Sequence, residues 1–267
     1  MPSYSMKLFL YFSLQLFTFT AFADDLDLFI MAGQSNMQGW RSDAAEYPAD
    51  NHNEDAAIKF YFEALNYSSS ENQWIALKPQ LGHFIKGHFG PEVTFARALK
   101  RAKMNPIIFK YSSGSSSIKN EWKAPGKGGQ YDDMIKHLKY SIKLLENQGH
   151  RVTPRALIWV QGESDASNLQ LAQEYYWHLR KLITHLRDNV LRQPNLPVVL
   201  SVDEQHPHVQ LRPEVVAAQH RLSSENKTIV FSSMQGLEKS DVTHLTAKGT
   251  IDQGKRLFQS YRGLTTY

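Results

Sequence analysis

Three short polar segments of the sequence carry residue types that could act together on an acyl group. The first runs from Gly33 to Met37, reads Gly-Gln-Ser-Asn-Met and offers Ser35 as a nucleophile. The second runs from Gln161 to Asp165, and the third from Asp241 to His244. A serine hydroxyl is inert near neutral pH unless a base takes its proton, and histidine is the base whose ordinary pKa suits that task.

The spacing within the third segment indicates how its two ionisable residues cooperate. A separation of three residues lets the Asp241 carboxylate fold back onto Nδ1 of His244 while Nε2 points elsewhere. In a serine triad, a carboxylate at Nδ1 holds the tautomer and Nε2 takes the serine proton. The sequence therefore predicts Ser35 as nucleophile, His244 as base and Asp241 as the orienting acid.

Each segment alone also has a structural interpretation. A Gly-x-Ser turn is more often structural than catalytic, Asp-x-x-His occurs where a helix cap precedes a surface histidine, and Gln-Gly-Glu can be a hydrogen-bonded strand end. The occurrence of all three in this order, each after a predicted strand, favours catalysis over coincidence.

Short apolar runs alternate with longer amphipathic segments along the chain, which is the pattern of a parallel sheet covered by helices on both faces. Apolar residues keep helical spacing within 135–145 and 175–190, and Pro91, Pro213 and Thr246 mark helix starts. The ligand crevice of such a sheet lies beyond the carboxyl ends of its strands, where the polar segments fall. The five predicted strands are Leu26 to Met31, Pro106 to Lys110, Ala156 to Val160, Pro197 to Val202 and Thr228 to Phe231.

One long stretch, around 41–89, departs from this alternation. Within it, Ile58 to Phe62 and Gln73 to Leu77 flank a turn-rich segment and predict a hairpin. We interpret the stretch as an insertion beside the site, within one domain that covers 24–267.

Residues 1–23 have the features of a signal peptide. Lys7 is their only charge, the stretch from Leu8 to Phe22 is mostly apolar, and Ala21 to Ala23 has the small-x-small form of a cleavage site. This predicts export to the periplasm or the medium, and no stable membrane insertion after cleavage, because the apolar run is shorter than the roughly 20 residues of a membrane span. An uncleaved membrane anchor is the alternative.

The composition narrows the function classes. The 267 residues include 30 Lys and Arg against 26 Asp and Glu, and the basic residues are scattered, which argues against nucleic acid as a partner. The chain has no cysteine, so thiol catalysis and disulfide bonds are excluded. The sequence does not specify an oligomeric state.

The three segments together resemble the SGNH hydrolases, and within them the sialate O-acetylesterase-like proteins and the acetylxylan esterases of carbohydrate esterase family six. Gln34 stands where the broader superfamily usually has aspartate, which points to this branch. The resemblance spans nearly all of the mature chain. It implies an α/β fold: a three-layer sandwich around a five-stranded parallel, flavodoxin-like sheet.

The resemblance also implies an oxyanion hole, made by the backbone amides of Ser35 and Gly114 and by the Gln161 side chain. Such donors stabilise the negative charge that develops on the carbonyl oxygen. The chain departs from the family at Ser113, where a second glycine is usual, which puts the geometry of the hole in question.

Other residues near the predicted crevice are candidate substrate contacts. Arg41 is suited to an acidic substituent such as a uronate or sialate carboxylate, although an exposed arginine needs no ligand. Trp122, with Trp40 and Tyr131, is expected near the crevice, where aromatic faces stack on sugars or cover the edge of the core. The further candidates are Gln34, Asn36 and Glu163.

Two alternatives to catalysis by the triad are weaker. Glu163 and Asp165 are too close in sequence to straddle a sugar ring as a glycosidase pair, and we interpret them as structural. His206 and His208 lack a third ligand at a recognisable spacing, so we expect a solvated loop and no metal site.

The sequence thus predicts a cofactor-free serine esterase that removes O-acetyl groups from carbohydrates of the acetylxylan or sialic acid type. A general short-chain or lipid-directed esterase of the same fold is one alternative. A carbohydrate-binding protein without turnover is another.

Overall fold

The computed structural model describes residues 23–265, whose centre is an eight-stranded sheet. Its long first strand is buried along nearly its whole length, as expected of a strand with helices on both sides. The strands are β1 (Asp25–Gly33), β2 (Lys59–Ala64), β3 (Ser68–Ser69), β4 (Ile75–Ala76), β5 (Pro106–Ser112), β6 (Arg151–Val160), β7 (Val198–Ser201) and β8 (Ile229–Phe231).

The strand order is β3-β2-β5-β1-β6-β7-β8, and β4 also pairs with β2. Every neighbouring pair from β2 through β8 along this order is parallel, whereas β3 and β4 pair antiparallel with β2. The five strands β5, β1, β6, β7 and β8 reproduce the predicted flavodoxin-like order. The predicted α/β fold is therefore confirmed.

Helices cover both faces of this sheet. On one face, α3, α4 and α6 pack on the side chains of β1, β5 and β6 that point towards them, and on the other face α2 and α7 pack on the alternate side chains. The helices are α1 (Ser35–Gln38), α2 (Glu92–Arg101), α3 (Gln130–Asn147), α4 (Leu169–His185), α5 (Pro207–Leu211), α6 (Glu214–Glu225) and α7 (Ala247–Thr265).

The sheet is larger than the five strands predicted. β2 lies within the stretch interpreted as an insertion and pairs with β4, with Phe60 opposite Ile75. It also runs parallel to β5, from Lys59 opposite Ile107 to Ala64 opposite Ser112. The stretch therefore extends the main sheet by one parallel strand, and its next turn, 65–67, lies at the same edge of the sheet as the carboxyl end of β5.

The predicted signal peptide lies outside the described residues, apart from Ala23. Across residues 23–265, no helix combines the length and the apolar character that crossing a membrane requires.

Candidate active site

The three polar segments meet where β1 and β6 end. Gln34 donates its backbone N–H to the Val160 carbonyl at 3.0 Å, and Ser113 donates to the Gly33 carbonyl at 3.0 Å. Position 33 requires glycine because the backbone of β6 passes close to it: a Cβ on residue 33 would lie 2.0 Å from the Val160 carbonyl oxygen. The chain then turns into α1, so that Ser35 is the first residue of a short helix at the edge of the sheet.

Ser35 and His244 border the same two cavities. The larger, of about 430 Å³, is lined mainly by hydroxyl, amide, imidazole and carboxyl groups, including those of Ser117, Asn120 and Glu163. The smaller, of about 360 Å³, lies on the side of Trp40 and Tyr67. Ser35, Ser115 and His244 line both, so a ligand in either cavity would lie against the predicted nucleophile and base.

The Asp241 carboxylate holds the His244 imidazole. Its two oxygens lie 3.0 and 3.1 Å from Nδ1 of His244. Oδ1 of Asp241 also accepts from the backbone N–H of Thr243 at 2.7 Å and of His244 at 2.8 Å. Ser35 Oγ and His244 Nε2 make no direct hydrogen bond within residues 23–265; such bonds are often long without substrate and tighten in the complex.

The same contacts keep Asp241 ionised. Burial alone would raise the pKa of this carboxyl, but hydrogen bonds from His244 and Thr243 outweigh burial and hold the pKa well below its usual value. Arg41 adds a further contact, with Nε 3.3 Å from Oδ2 of Asp241. A permanently charged carboxylate at Nδ1 leaves Nε2 of His244 as the nitrogen available to accept a proton.

Asn36 ties the nucleophile segment to the histidine segment. Its side-chain amide donates to the Thr243 carbonyl at 3.1 Å and accepts from the Leu245 backbone N–H at 3.3 Å. The side chain is 3% exposed and does not line either cavity. Asn36 thus joins two segments of the candidate site and borders neither cavity, where a substrate contact had been predicted for it.

We expect Asn36→Ala to lower both stability and turnover. It leaves the Thr243 carbonyl and the Leu245 amide unpaired, which should cost about 1 to 3 kcal/mol of unfolding free energy. A shift of the Ser35 hydroxyl relative to the His244 imidazole should lower kcat by about ten- to a hundredfold. Urea unfolding and ester hydrolysis measure the two effects. Asn189, which is exposed, provides the matched Asn→Ala control, and values equal to that control would contradict this role.

Two of the three predicted oxyanion donors lie beside the nucleophile. Among the described residues, the backbone amides of Ser35 and Gly114 donate to no other protein group. A Cβ built on Gly114 would lie 4.0 Å from Cβ of Ser35, which places this loop against the nucleophile. Serine at position 113, where the family usually has a second glycine, does not disturb the contact of this loop with β1. The contact is made by the backbone N–H of Ser113, which donates to the Gly33 carbonyl.

The third predicted donor, Gln161, is engaged elsewhere. Its Nε2 donates to the Ser116 carbonyl at 2.8 Å and to Oδ2 of Asp165 at 2.5 Å, and the side chain is fully buried. Asp165 in turn accepts from the Ile118 backbone N–H at 3.0 Å. Gln161 and Asp165 therefore anchor the loop after β5, and in this geometry the Gln161 amide does not reach the cavities at Ser35.

Glu163 is a buried carboxyl that faces the larger cavity. Its Oε1 accepts from the Asp203 backbone N–H at 3.1 Å, whereas Oε2 has no partner within the described residues. Burial, reinforced by the charge of Asp203, raises the pKa of Glu163 to about 7. Glu163 therefore lines the larger cavity with one oxygen that has no partner among the described residues, and the substrate contact predicted for it stays a prediction.

We expect Glu163→Gln to change stability in a pH-dependent way. The folded state holds the Glu163 proton more tightly than the unfolded chain, so its contribution to stability is full below the ordinary pKa of 4.5 and is lost as the pH rises through about 7. Glutamine keeps the acceptor for Asp203 without the charge. The variant should therefore be more stable than the parent by roughly 3 kcal/mol above pH 7, and similar to it below pH 4.5. Urea unfolding across this range measures the difference, and a constant difference would contradict a titrating Glu163.

Other predicted contacts have different surroundings. Trp122 is fully buried and donates its indole N–H to Ser116, and Tyr131 is buried against His185, so neither borders the site. Arg41 lies outside both cavities, between Asp241 and His83. Trp122 does not lie at the crevice as predicted, because its side chain packs inward on Tyr111 and Trp159. Asn120 of the same turn, 118–122, does line the larger cavity. Arg41 contacts Asp241, the predicted acid of the triad, and neither cavity.

The remaining candidates line the larger cavity. Gln34 does so, with its side-chain oxygen 3.5 Å from the Gly162 amide. His206 and His208 also line this cavity, so the loop that was expected to be solvated forms part of the cavity wall. Burial lowers the pKa of His206 to about 4. No group of three or more His, Asp or Glu residues among 23–265 is arranged to hold a metal ion.

Gln38 is a site residue that the sequence interpretation missed. Its side chain is fully buried, lines the smaller cavity and has no hydrogen-bond partner within the described residues. The available signal was its position three residues after Ser35, which puts both on one face of a helix.

Comparisons with known proteins identify the family and the fold of the chain. A family model described as "Carbohydrate esterase, sialic acid-specific acetylesterase" matches residues 25–263. A probable carbohydrate esterase from Arabidopsis thaliana is 31% identical over 179 residues, which are 64% of this chain and 63% of that protein. The match thus spans less than two thirds of the length of this curated relative.

Solved structures share the fold. The X-ray structure of the same Arabidopsis protein superposes with a TM-score of 0.67 at 25% identity, covering 89% of this chain and 98% of that one. A carbohydrate acetylesterase from Xanthomonas citri superposes with a TM-score of 0.60 at 19% identity, covering 89% of this chain and 56% of that one.

Proposed function

We propose that this chain, which belongs to the carbohydrate esterase family of sialic acid-specific acetylesterases, removes O-acetyl groups from carbohydrates with Ser35 as its nucleophile. One observation carries the proposal above the others. Ser35 and His244 border the same cavities, and the Asp241 carboxylate lies 3.0 Å from Nδ1 of His244. This arrangement supplies a nucleophile, a base and an orienting acid.

In the first half-reaction, Ser35 Oγ attacks the acetyl carbonyl carbon while Nε2 of His244 takes the hydroxyl proton. Asp241 stabilises the resulting imidazolium through Nδ1. The carbonyl oxygen becomes negative in the tetrahedral intermediate and accepts hydrogen bonds from the amides of Ser35 and Gly114. Each such donor typically lowers the barrier by about 3 kcal/mol.

Collapse of the intermediate breaks the bond between the acetyl carbon and the sugar oxygen. His244 returns its proton to that oxygen, so the sugar leaves as an alcohol and the acetyl group stays on Ser35. A water molecule then attacks the acetyl-enzyme, His244 again takes the proton, and acetate leaves as Ser35 regains its hydrogen. The two steps balance without a metal or an organic cofactor.

The lining of the larger cavity supports a carbohydrate as the alcohol. Hydroxyl, amide and imidazole groups there, including those of Ser117, Asn120 and His208, offer both donors and acceptors to sugar hydroxyls. A lipid-directed esterase needs apolar walls on this side of Ser35, which this lining does not favour.

We also propose that the protein is exported and that cleavage after Ala23 leaves Asp24 at the mature N-terminus. The support is the charge and apolar pattern of residues 1–23. Amino-terminal sequencing of protein recovered outside the cytoplasm tests this. A retained residue 1 on that protein would favour the uncleaved anchor.

Acetate release from an acetylated xylo-oligosaccharide and from an O-acetylated sialic acid tests the function. The proposal expects release from at least one of the two, and the ratio of the two rates identifies the sugar class. No release from either by folded protein would contradict the proposal and favour another acyl ester or binding without turnover.

A further inference from the structure

The smaller cavity beside Ser35 has walls unlike those of the larger one. We call it the aromatic cavity and define it by Gln38, Trp40, Leu65, Asn66 and Tyr67, which line it together with residues around Ser35. Its volume of about 360 Å³ falls within the range of small-molecule binding sites and exceeds what an acetyl group needs.

Two aromatic rings form one wall and are held in place. The centroids of Trp40 and Tyr67 lie 4.7 Å apart, and His83 stacks on Trp40 at 4.5 Å with an interplanar angle of 29°. The turn that carries Tyr67 is fixed by a left-handed Asn66 and by a hydrogen bond from the Tyr67 amide to the Ala64 carbonyl at 2.9 Å. Tyr67 is nevertheless 51% exposed, so part of its surface is open to a ligand.

Gln38 provides a buried polar group of this cavity. Within residues 23–265 neither its amide nitrogen nor its oxygen has a partner, although the side chain is fully buried. A buried amide without partners costs free energy that a ligand group able to donate and accept would recover. A sugar hydroxyl is such a group.

The chemistry of the lining selects a neutral ligand. None of the described residues that line the aromatic cavity is a lysine, arginine, aspartate or glutamate. Apolar aromatic faces with one or two amides suit a neutral sugar ring, whose axial face packs on the rings while its hydroxyls pair with the amides.

The position of the cavity determines where this ring lies on the substrate. Both cavities are of ligand size, and both reach Ser35, Ser115 and His244. A substrate with its acetylated sugar in the larger cavity therefore has room for a neighbouring sugar on the other side of the nucleophile.

We infer that the aromatic cavity binds a neutral sugar residue next to the acetylated one, so that the enzyme acts on oligosaccharides in preference to monosaccharides. This inference rests on the proposed function and specifies its substrate class.

The test compares kcat/KM for an acetylated trisaccharide with kcat/KM for the acetylated monosaccharide it contains, both assayed by acetate release. The pair is xylotriose and xylose if the xylo-oligosaccharide releases acetate, and sialyllactose and sialic acid, O-acetylated on the sialic acid, if the sialic acid does. The parent enzyme should prefer the trisaccharide by about tenfold or more, and Tyr67→Ala should reduce that preference about tenfold. Gln38→Met, which removes the amide at similar volume, should reduce it in the same direction. Trp177, an exposed aromatic residue on α4, provides the control, and Trp177→Ala should leave the preference unchanged.

Two results would overturn the inference. One is equal kcat/KM for the two substrates in the parent enzyme. The other is a Tyr67→Ala variant that keeps the trisaccharide preference but hydrolyses 4-nitrophenyl hexanoate more slowly relative to 4-nitrophenyl acetate than the parent does. That result would show that the cavity binds the acyl chain and not a sugar. Failure of the proposed function is distinguishable, because acetate release from every substrate would then be absent or insensitive to Ser35→Ala.

Discussion

Ser35→Ala should lower kcat for acetyl ester hydrolysis by at least about four orders of magnitude. Alanine removes the oxygen that forms the acyl bond and leaves the amide of residue 35 free to act as an oxyanion donor. Any residual hydrolysis would come from water attacking a bound ester. Because the Ser35 side chain makes no hydrogen bond within the described residues, the unfolding free energy should change little.

Steady-state hydrolysis of 4-nitrophenyl acetate and acetate release from the sugar substrate measure this loss. Ser224→Ala, at an exposed serine on α6, is the matched control and should retain parental kcat. A folded Ser35→Ala variant with more than about one hundredth of parental kcat would show that another group forms the acyl bond.

Asp241→Asn should lower kcat by about ten-thousandfold while keeping the fold of its loop. The asparagine oxygen can still accept from the backbone N–H groups of Thr243 and His244, which Oδ1 of Asp241 does at 2.7 and 2.8 Å. Its amide nitrogen, however, stands in place of Oδ2, which lies 3.0 Å from Nδ1 of His244, and an amide nitrogen donates and cannot accept the hydrogen bond from Nδ1–H. The imidazole then favours the tautomer with hydrogen on Nε2, which cannot act as a base towards Ser35.

The loss is measured as kcat of the variant relative to the parent from pH 6 to pH 8. In the parent enzyme the pKa of Asp241 is held well below its usual value, so its charge is constant across the pH range of the assay. The ratio of the kcat of Asp241→Asn to that of the parent should therefore be similar from pH 6 to pH 8. Asp188→Asn, at an exposed position, is the control. An Asp241→Asn variant within tenfold of the parent would contradict the role of this carboxylate.

The fold was predictable from the sequence because each core strand is an apolar run that ends in a recognisable turn. The segments after β1 and β6 come together because the carboxyl ends of parallel strands share one edge of the sheet. The parallel pairing of β2, the sixth parallel strand, was not predictable in this way. Its antiparallel partner β4 is nearby in sequence, so the two form a predictable hairpin. Its pairing with β5 joins residues far apart in sequence, such as Tyr61 and Phe109, and no local pattern specifies that contact.

Side-chain direction limits what a motif can predict about the site. Gln161 lies in one of the three predicted segments, yet its amide turns towards Ser116 and Asp165. Asn36 also turns away from the cavities, towards the histidine segment. Gln38, by contrast, faces a cavity although no motif marks it. These directions depend on hydrogen bonds between segments far apart in sequence, which spacing alone does not encode.

The most direct test of the account is covalent labelling with diethyl 4-nitrophenyl phosphate. An activated serine attacks the phosphorus, releases 4-nitrophenol and retains the diethyl phosphoryl group, so intact mass and peptide mapping identify the modified residue. We expect one phosphoryl group per chain, carried by Ser35, and strongly slowed labelling in His244→Ala. A label on another residue, or labelling at the parental rate in His244→Ala, would contradict Ser35 activated by His244.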